Sequence, residues 1–203
     1  MSQILYVTAS ARGAASHSTQ VATALVAKLQ AERPDATLVT HDFATNPLPH
    51  VGEDYVLGRT LAPELRSPTQ ASAVAASDAL IAELFATDVI VIATPMYNFG
   101  IPSTLKAWID HLVRVGHTFA YGANGAEGLV KGKKVYIVAA RGGLYLEGPM
   151  TAYNFQDAYL KTVLGFIGIT DVEVIPVEGI SFGPEAAEKS VAAALGQVSA
   201  LAA

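Results

Sequence analysis

The sequence predicts an α/β domain with a doubly wound five-stranded parallel sheet and helices on both faces. Three observations predict it. Strand-like and helix-like segments alternate along the 203 residues, the pattern that builds a parallel sheet with crossover helices. The clearest strand, Asp88–Thr94, is a run of consecutive apolar residues, as expected of a central strand covered on both faces. Apolar residues make up 51% and charged residues 15%, enough to fill one core and too little charge for a disordered chain. A length of 203 residues suits a single domain spanning 1–203.

The elements follow in order. Ile4–Thr8 reads as a buried strand, and Ala9–Ser18 is a loop of small and hydroxyl residues. Residues 19–32 place Val21, Leu25, Val26 and Leu29 at helical spacing, and Pro34 ends that helix. Thr37–Phe43 is the second strand. Residues 44–66, with Pro47, Pro49, Gly52, Gly58 and Pro63, read as irregular; a connection this long is expected to be functional or to cover a partner. Ser67-Pro68-Thr69-Gln70 is a helix start, with Ser67 as N-cap and Gln70 closing a capping box. This helix runs to about Ala86. After the Asp88–Thr94 strand, Pro102 begins a helix with Leu105, Trp108, Ile109 and Leu112 on one face. Lys134–Ala140 is the fourth strand, 151–166 a helix, Asp171–Val177 the fifth strand, and Pro184 opens a last helix to about Leu201.

In such sheets ligands bind beyond the carboxyl ends of the strands, where the strand order reverses. That directs attention to residues 9–18, 95–101 and 140–149. The first loop runs into a helix N-terminus, whose open N–H groups favour an anion. Ser10, Ser16, Ser18 and Thr19 add hydroxyls, and His17 sits among them. The loop suits a phosphate monoester, although Ser16 or Ser18 could equally serve as a helix cap. In the second loop Met96, Tyr97 and Phe99 offer flat or polarizable apolar surface and Asn98 a donor and an acceptor. A flavin ring needs such a surface and such edge contacts; plain packing of the aromatics is the alternative. The third loop, Ala140-Arg141-Gly142-Gly143, allows close backbone approach and positive φ. Arg141 could face solvent or support the polar edge of a flavin.

Several functions are excluded or disfavoured. The net charge of −5 speaks against nucleic-acid binding. With no cysteine, thiolate chemistry, disulfides and iron–sulfur clusters are impossible. The first loop has no Gly-x-Gly-x-x-Gly and no Gly-Lys-Ser/Thr, so it is neither a dinucleotide nor a P-loop fingerprint. His17, His41, His50, His111 and His117 lack metal-ligand spacing, and His111 is expected at the surface or an interface. No signal peptide or membrane-length apolar run is evident, so a cytoplasmic protein is expected.

Certain segments match a known family in order along essentially the whole chain: Pro95–Pro102, Asn124–Leu129 before Lys131-Gly132-Lys133, Arg141-Gly142-Gly143, Leu164–Asp171, and Glu178–Ile180 before Gly183-Pro184-Glu185. They resemble the FMN-dependent NADH-azoreductases, also described as FMN-dependent NADH:quinone oxidoreductases, of flavodoxin-like fold. The resemblance implies a homodimer with non-covalent FMN at the subunit interface and NADH as electron donor. It implies that Ser10, Ser16, His17 and Ser18 hold the phosphate side. Met96, Tyr97, Asn98, Phe99, Ala140, Arg141, Gly142 and Gly143 would hold the ring. Phe119 and Tyr121 would line the pocket or simply pack. Ala140 stands where the family commonly has Ser or Thr, so a hydroxyl contact is lost there. The activity implied is ping-pong hydride transfer to quinones and aromatic azo compounds, with no protein nucleophile. A flavodoxin-type electron carrier and a flavin-free binding module are the competing readings.

Overall fold

The structure, a computed structural model, describes residues 2–201. Five strands form one parallel sheet: β1 (Gln3–Thr8), β2 (Thr37–Asp42), β3 (Val89–Pro95), β6 (Lys134–Ala140) and β7 (Asp171–Val177), ordered β2-β1-β3-β6-β7. A hairpin outside this sheet supplies β4 (Phe119–Gly122) and β5 (Gly125–Gly128). The helices are α1 (His17–Glu32), α2 (Glu53–Gly58), α3 (Pro68–Ala86), α4 (Ser103–Leu112), α5 (Phe155–Ile167) and α6 (Pro184–Ala200). The chain leaves β1 towards β2 on one side and returns to β3 on the other. The order therefore reverses between β1 and β3, and a crevice opens at their carboxyl ends.

Alternating side chains of the strands feed two cores, one per face. Leu5, Val7, Ile90, Ile92, Val135 and Ile137 pack on one face with Leu80, Trp108 and Leu160 of α3, α4 and α5. Ile4, Tyr6, Val89, Val91, Tyr136 and Val138 pack on the other with Leu25 of α1 and Val198 of α6. Burial pushes the Tyr6 phenol above its ordinary value, partly offset by its hydrogen bond with Thr23.

The capping box at α3 forms as expected: Gln70 N donates to Ser67 Oγ, and Ser67 N donates to Gln70 Oε1 at 3.0 Å. Three expectations change. The stretch 44–66 contains α2, whose buried Tyr55 meets the ring of His111 edge-on at 5.0 Å. His111 is only 1% exposed, with Nε2 at 2.9 Å from the carbonyl of Pro49. It belongs to the core, not the surface, because a segment some sixty residues earlier folds over it. The hairpin β4–β5 falls where no strand was expected. Leu129 N donates to Thr118 O, Val130 N donates to Ile167 O, and Phe119 meets Phe166 at 4.6 Å, tying the hairpin to the end of α5.

Candidate functional site

The carboxyl ends of β1, β3 and β6 deliver Ser10, Pro95, Met96, Ala140 and Arg141 to one cavity of about 270 Å³. Ser16 and His17 from the start of α1, Tyr97 and Gly142 line it too. Eight of the twelve residues expected from sequence thus meet. Of the others, Ser18 is fully buried one step behind, its hydroxyl 3.0 Å from that of Ser16. Asn98 faces a neighbouring cavity of about 580 Å³ with Tyr97, Lys106, Phe155 and Tyr159. Phe99 rests on Tyr153 at 5.3 Å and Tyr145 at 6.3 Å. Gly143 lies under the Tyr145 ring, 3.2 Å from where a Cβ would be.

The end of α1 answers the question of capping. Ser16 is the N-cap by position, but no side chain caps the helix. Its first-turn N–H groups, which have no intrahelical partners, stay available. Beside them, His17 Nδ1 and Thr19 Oγ1 are buried without a hydrogen-bond partner. Buried polar groups are normally satisfied, and His17 is also a wall of the cavity, so its unpartnered ring nitrogen suits an acceptor-rich ligand there. A phosphate is such a ligand, and it also matches the positive end of the helix dipole.

The loop after β3 is held in a costly shape. Tyr97 and Gly100 exchange two N–H···O bonds of 3.0 Å, closing a turn with Asn98 at φ 47° and Phe99 at φ 72°. Asn tolerates this left-handed region, but a bulky residue such as Phe rarely adopts it. Strain of this kind persists where the surroundings over-determine it and concentrates at ligand sites. Ala11 N donates to the Tyr97 hydroxyl at 3.3 Å, and Met96 N donates to Ala140 O at 2.7 Å. The second loop is thereby fastened to the first and the third.

Arg141 does not face solvent. It is 1% exposed, and its guanidinium donates to Gln156 Oε1, Glu178 Oε1 and Asp157 Oδ1. Gln156 in turn donates to Thr94 O at 3.1 Å. With its side chain engaged by three residues, Arg141 positions the third loop and does not point a free charge at a ligand. Gly142 and Gly143 do not adopt positive φ. A Cβ on Gly142 would meet Ser181 Oγ at 2.5 Å, so the Ser181 side chain would have to turn away, and one on Gly143 would press on the Tyr145 ring at 3.2 Å.

A fourth loop, after β7, joins the site, where nothing in its local sequence places it. Ile180 N donates to Arg141 O, Ser181 N donates to Gly142 O, and Gly179 N donates to Gly143 O. Ile180 and Ser181 thus become cavity walls, as does Arg12 from the first loop. The available signal was Glu178-Gly179-Ile180, which carried the resemblance without being placed at the strand ends. In the neighbouring cavity, burial, with Asp110 adding to it, pushes the Tyr159 phenol up to about 12. That group is a neutral phenol at any physiological pH.

These loops meet around one cavity at the carboxyl ends of β1, β3 and β6 on an open α/β sheet, with the start of α1 as one of its walls. Comparison with known proteins shows the family. The flavodoxin-like fold family matches residues 2–202. The FMN-dependent NADH:quinone oxidoreductase of Mesorhizobium japonicum is 51% identical, over 98% of this chain and 94% of that protein. FMN-dependent NADH:quinone oxidoreductase 1 of Rhizobium etli is 50% identical, over 100% of this chain and 98% of its own. An azoreductase crystal structure from Bacillus anthracis superposes with a TM-score of 0.90 at 33% identity, covering 98% of this chain and 97% of that one. The chain belongs to the family of FMN-dependent NADH:quinone oxidoreductases and azoreductases.

Proposed function

We propose that this protein is an FMN-dependent oxidoreductase that takes electrons from NADH and passes them to quinones and aromatic azo compounds in a ping-pong cycle. The observation that carries the reading is the uncapped end of α1, where His17, a wall of the cavity, has an unpartnered Nδ1, with Met96 and Tyr97, which lead into the strained Asn98–Phe99 turn, lining the same cavity. When bound, FMN supplies two-electron hydride chemistry that no side chain can provide.

The residues do the rest. Ser10, Ser16, His17, Ser18 and the α1 N–H groups hold the phosphate. Met96, Tyr97, Asn98 and Phe99 offer the ring a surface and polar edge contacts, with Ala140, Gly142 and Gly143 opposite. Ala140 supplies no hydroxyl, so its side chain contributes packing alone. Arg141, through Asp157, Glu178 and Gln156, fixes the loop that carries the two glycines. Donor and acceptor use the same place in turn, which is why the cycle is ping-pong. A quinone takes two electrons and two protons to reach the hydroquinone. An azo bond takes four of each, from two donor cycles and solvent, to become two amines.

A second copy of the chain completes the site in this reading. Tyr97, Phe99, Tyr153 and Phe155 leave aromatic surface exposed around the 580 Å³ cavity, more than an isolated enzyme keeps without use. Light scattering should return twice the chain mass. The proposed setting is the cytoplasm, where NADH is supplied. The decisive test is initial-rate kinetics with FMN-saturated protein, NADH and a benzoquinone. Parallel double-reciprocal lines are expected; intersecting lines rule out ping-pong, and no NADH oxidation rules out the enzyme. Product analysis with an aromatic azo dye should show two amines for every two NADH consumed.

A further inference from the structure

A larger cavity, of about 610 Å³, lies between α1 and α6, and nothing above uses it. Arg12, His17, Ile180 and Ser181 line both this groove and the cavity at the strand ends, so the two adjoin. Its walls are chiefly apolar, from Pro184, Ala187, Val191, Ala192 and Leu195 of α6. The polar groups are few and spaced: Arg12 and His17 at the junction, Gln20 on α1 and Glu188 on α6. Arg12 is exposed and forms no ion pair among the described residues.

We propose that this groove receives the adenosine half of the dinucleotide donor. The proposal rests on the NADH oxidoreductase reading and adds where the non-reacting half of the donor goes. A dinucleotide has a reacting ring at one end, two phosphates in the middle and a flat purine at the other. The cavity at the strand ends is committed to a phosphate and a ring. The adjoining groove supplies what remains: a cation at the junction for the pyrophosphate, and apolar walls of adequate volume for a purine. Glu188 is the group suited to ribose hydroxyls; an acidic side chain accepts from a free 2′-hydroxyl and repels a 2′-phosphate. The groove therefore selects NADH over NADPH.

The test compares NADH with reduced nicotinamide mononucleotide, which has the same reacting ring and no adenosine. Ala192 is exposed on α6 and lines only the groove. Tryptophan is only modestly poorer than alanine as a helix former, so the helix tolerates it there. In Ala192→Trp the KM for NADH should rise about tenfold while the mononucleotide is oxidised as before. Equal losses with both donors, or no loss with either, overturn the proposal. Glu188→Gln should raise the NADPH-to-NADH ratio of kcat/KM about tenfold; an unchanged ratio removes Glu188 from the site.

Calorimetry with ADP alone reads the groove without turnover. The FMN-loaded parent should bind ADP and Ala192→Trp should not. No binding by the parent overturns the groove even if NADH oxidation is normal. ADP binding by a protein that oxidises no NADH supports the groove and overturns the oxidoreductase reading instead.

Discussion

Two of the acceptors on the Arg141 guanidinium are carboxylates, Asp157 and Glu178, lying 16 and 37 positions later in the chain. Neither could be assigned to it from local sequence, so the arginine beside a glycine pair read as a possible flavin contact. Its burial changes the expected phenotype. Arg141→Met leaves two largely buried carboxylates without their cation, a loss of about 3 kcal/mol by the usual cost of breaking a buried pair. Urea unfolding measures it. Arg141→Lys should recover only part, because one ammonium cannot serve three separated acceptors; a change below about 1 kcal/mol in Arg141→Met would contradict the positioning role. Asn98 makes the converse case. At φ 47°, Asn98→Gly should leave stability within about 0.5 kcal/mol, whereas Asn98→Val forces a β-branched residue into the left-handed region at about 1–2 kcal/mol. Both should weaken FMN retention, since both remove the side-chain amide. Retention equal to the parent in both variants would place the ring elsewhere.

The elements differ in how visibly they are encoded. β1, β3 and β6 carry consecutive apolar runs and stand out, β2 and β7 mix polar residues into theirs, and α3 with its capping box and α4 with its one apolar face are equally plain. The hairpin does not: each strand has only four residues, and Gly122, Gly125 and Gly128 punctuate them. Such a sequence reads as loop until its docking site is known. That site is tight at Gly128, where a Cβ would overlap the backbone of Ile167 and Gly168. Gly128→Ala must push the hairpin off the end of α5, at about 1–3 kcal/mol by the cost of overpacking. Hydrogen exchange should show lost protection at Val130 N, which donates to Ile167 O, with the central sheet unchanged. Protection retained at Val130 would mean the hairpin accommodates the methyl. α2 was hidden for a similar reason: six residues following Gly52 and ending at Gly58 are too short for periodicity to register. In the site, the strand ends that meet were legible because topology dictates them. The loop after β7 was not, because its place depends on three backbone hydrogen bonds to residues 141–143.

Across the whole molecule, both cores run the length of the sheet, while the crevice and groove adjoin at the start of α1. The rest of the fold can therefore respond to pH through groups remote from the ligand. His117 precedes the hairpin and is exposed, but partial loss of hydration, then the neighbouring Arg114 cation, depresses its pKa below the ordinary 6.5, with Arg66 adding and Asp78 opposing. The sign follows from proton counting. Between the folded value and 6.5, the unfolded chain holds more protons at this site than the folded one. The stability associated with neutral His117 is thus complete above about pH 6.5 and is lost as pH falls towards the folded value. Asp88 shifts in the same sense in a lower window: its hydrogen bond from Gln3 N, first among the causes, depresses its carboxyl below 3.8. Thermal midpoints of the protein should accordingly fall between pH 7 and 5.5, before any carboxylate of ordinary pKa is half protonated. His117→Gln keeps a polar side chain and removes the titration, so its midpoint should vary less over that interval. An identical slope in the variant would assign the acid sensitivity to other groups. NADH oxidation by the variant at pH 7.5 should match the parent, since His117 lines none of the three cavities around the strand ends.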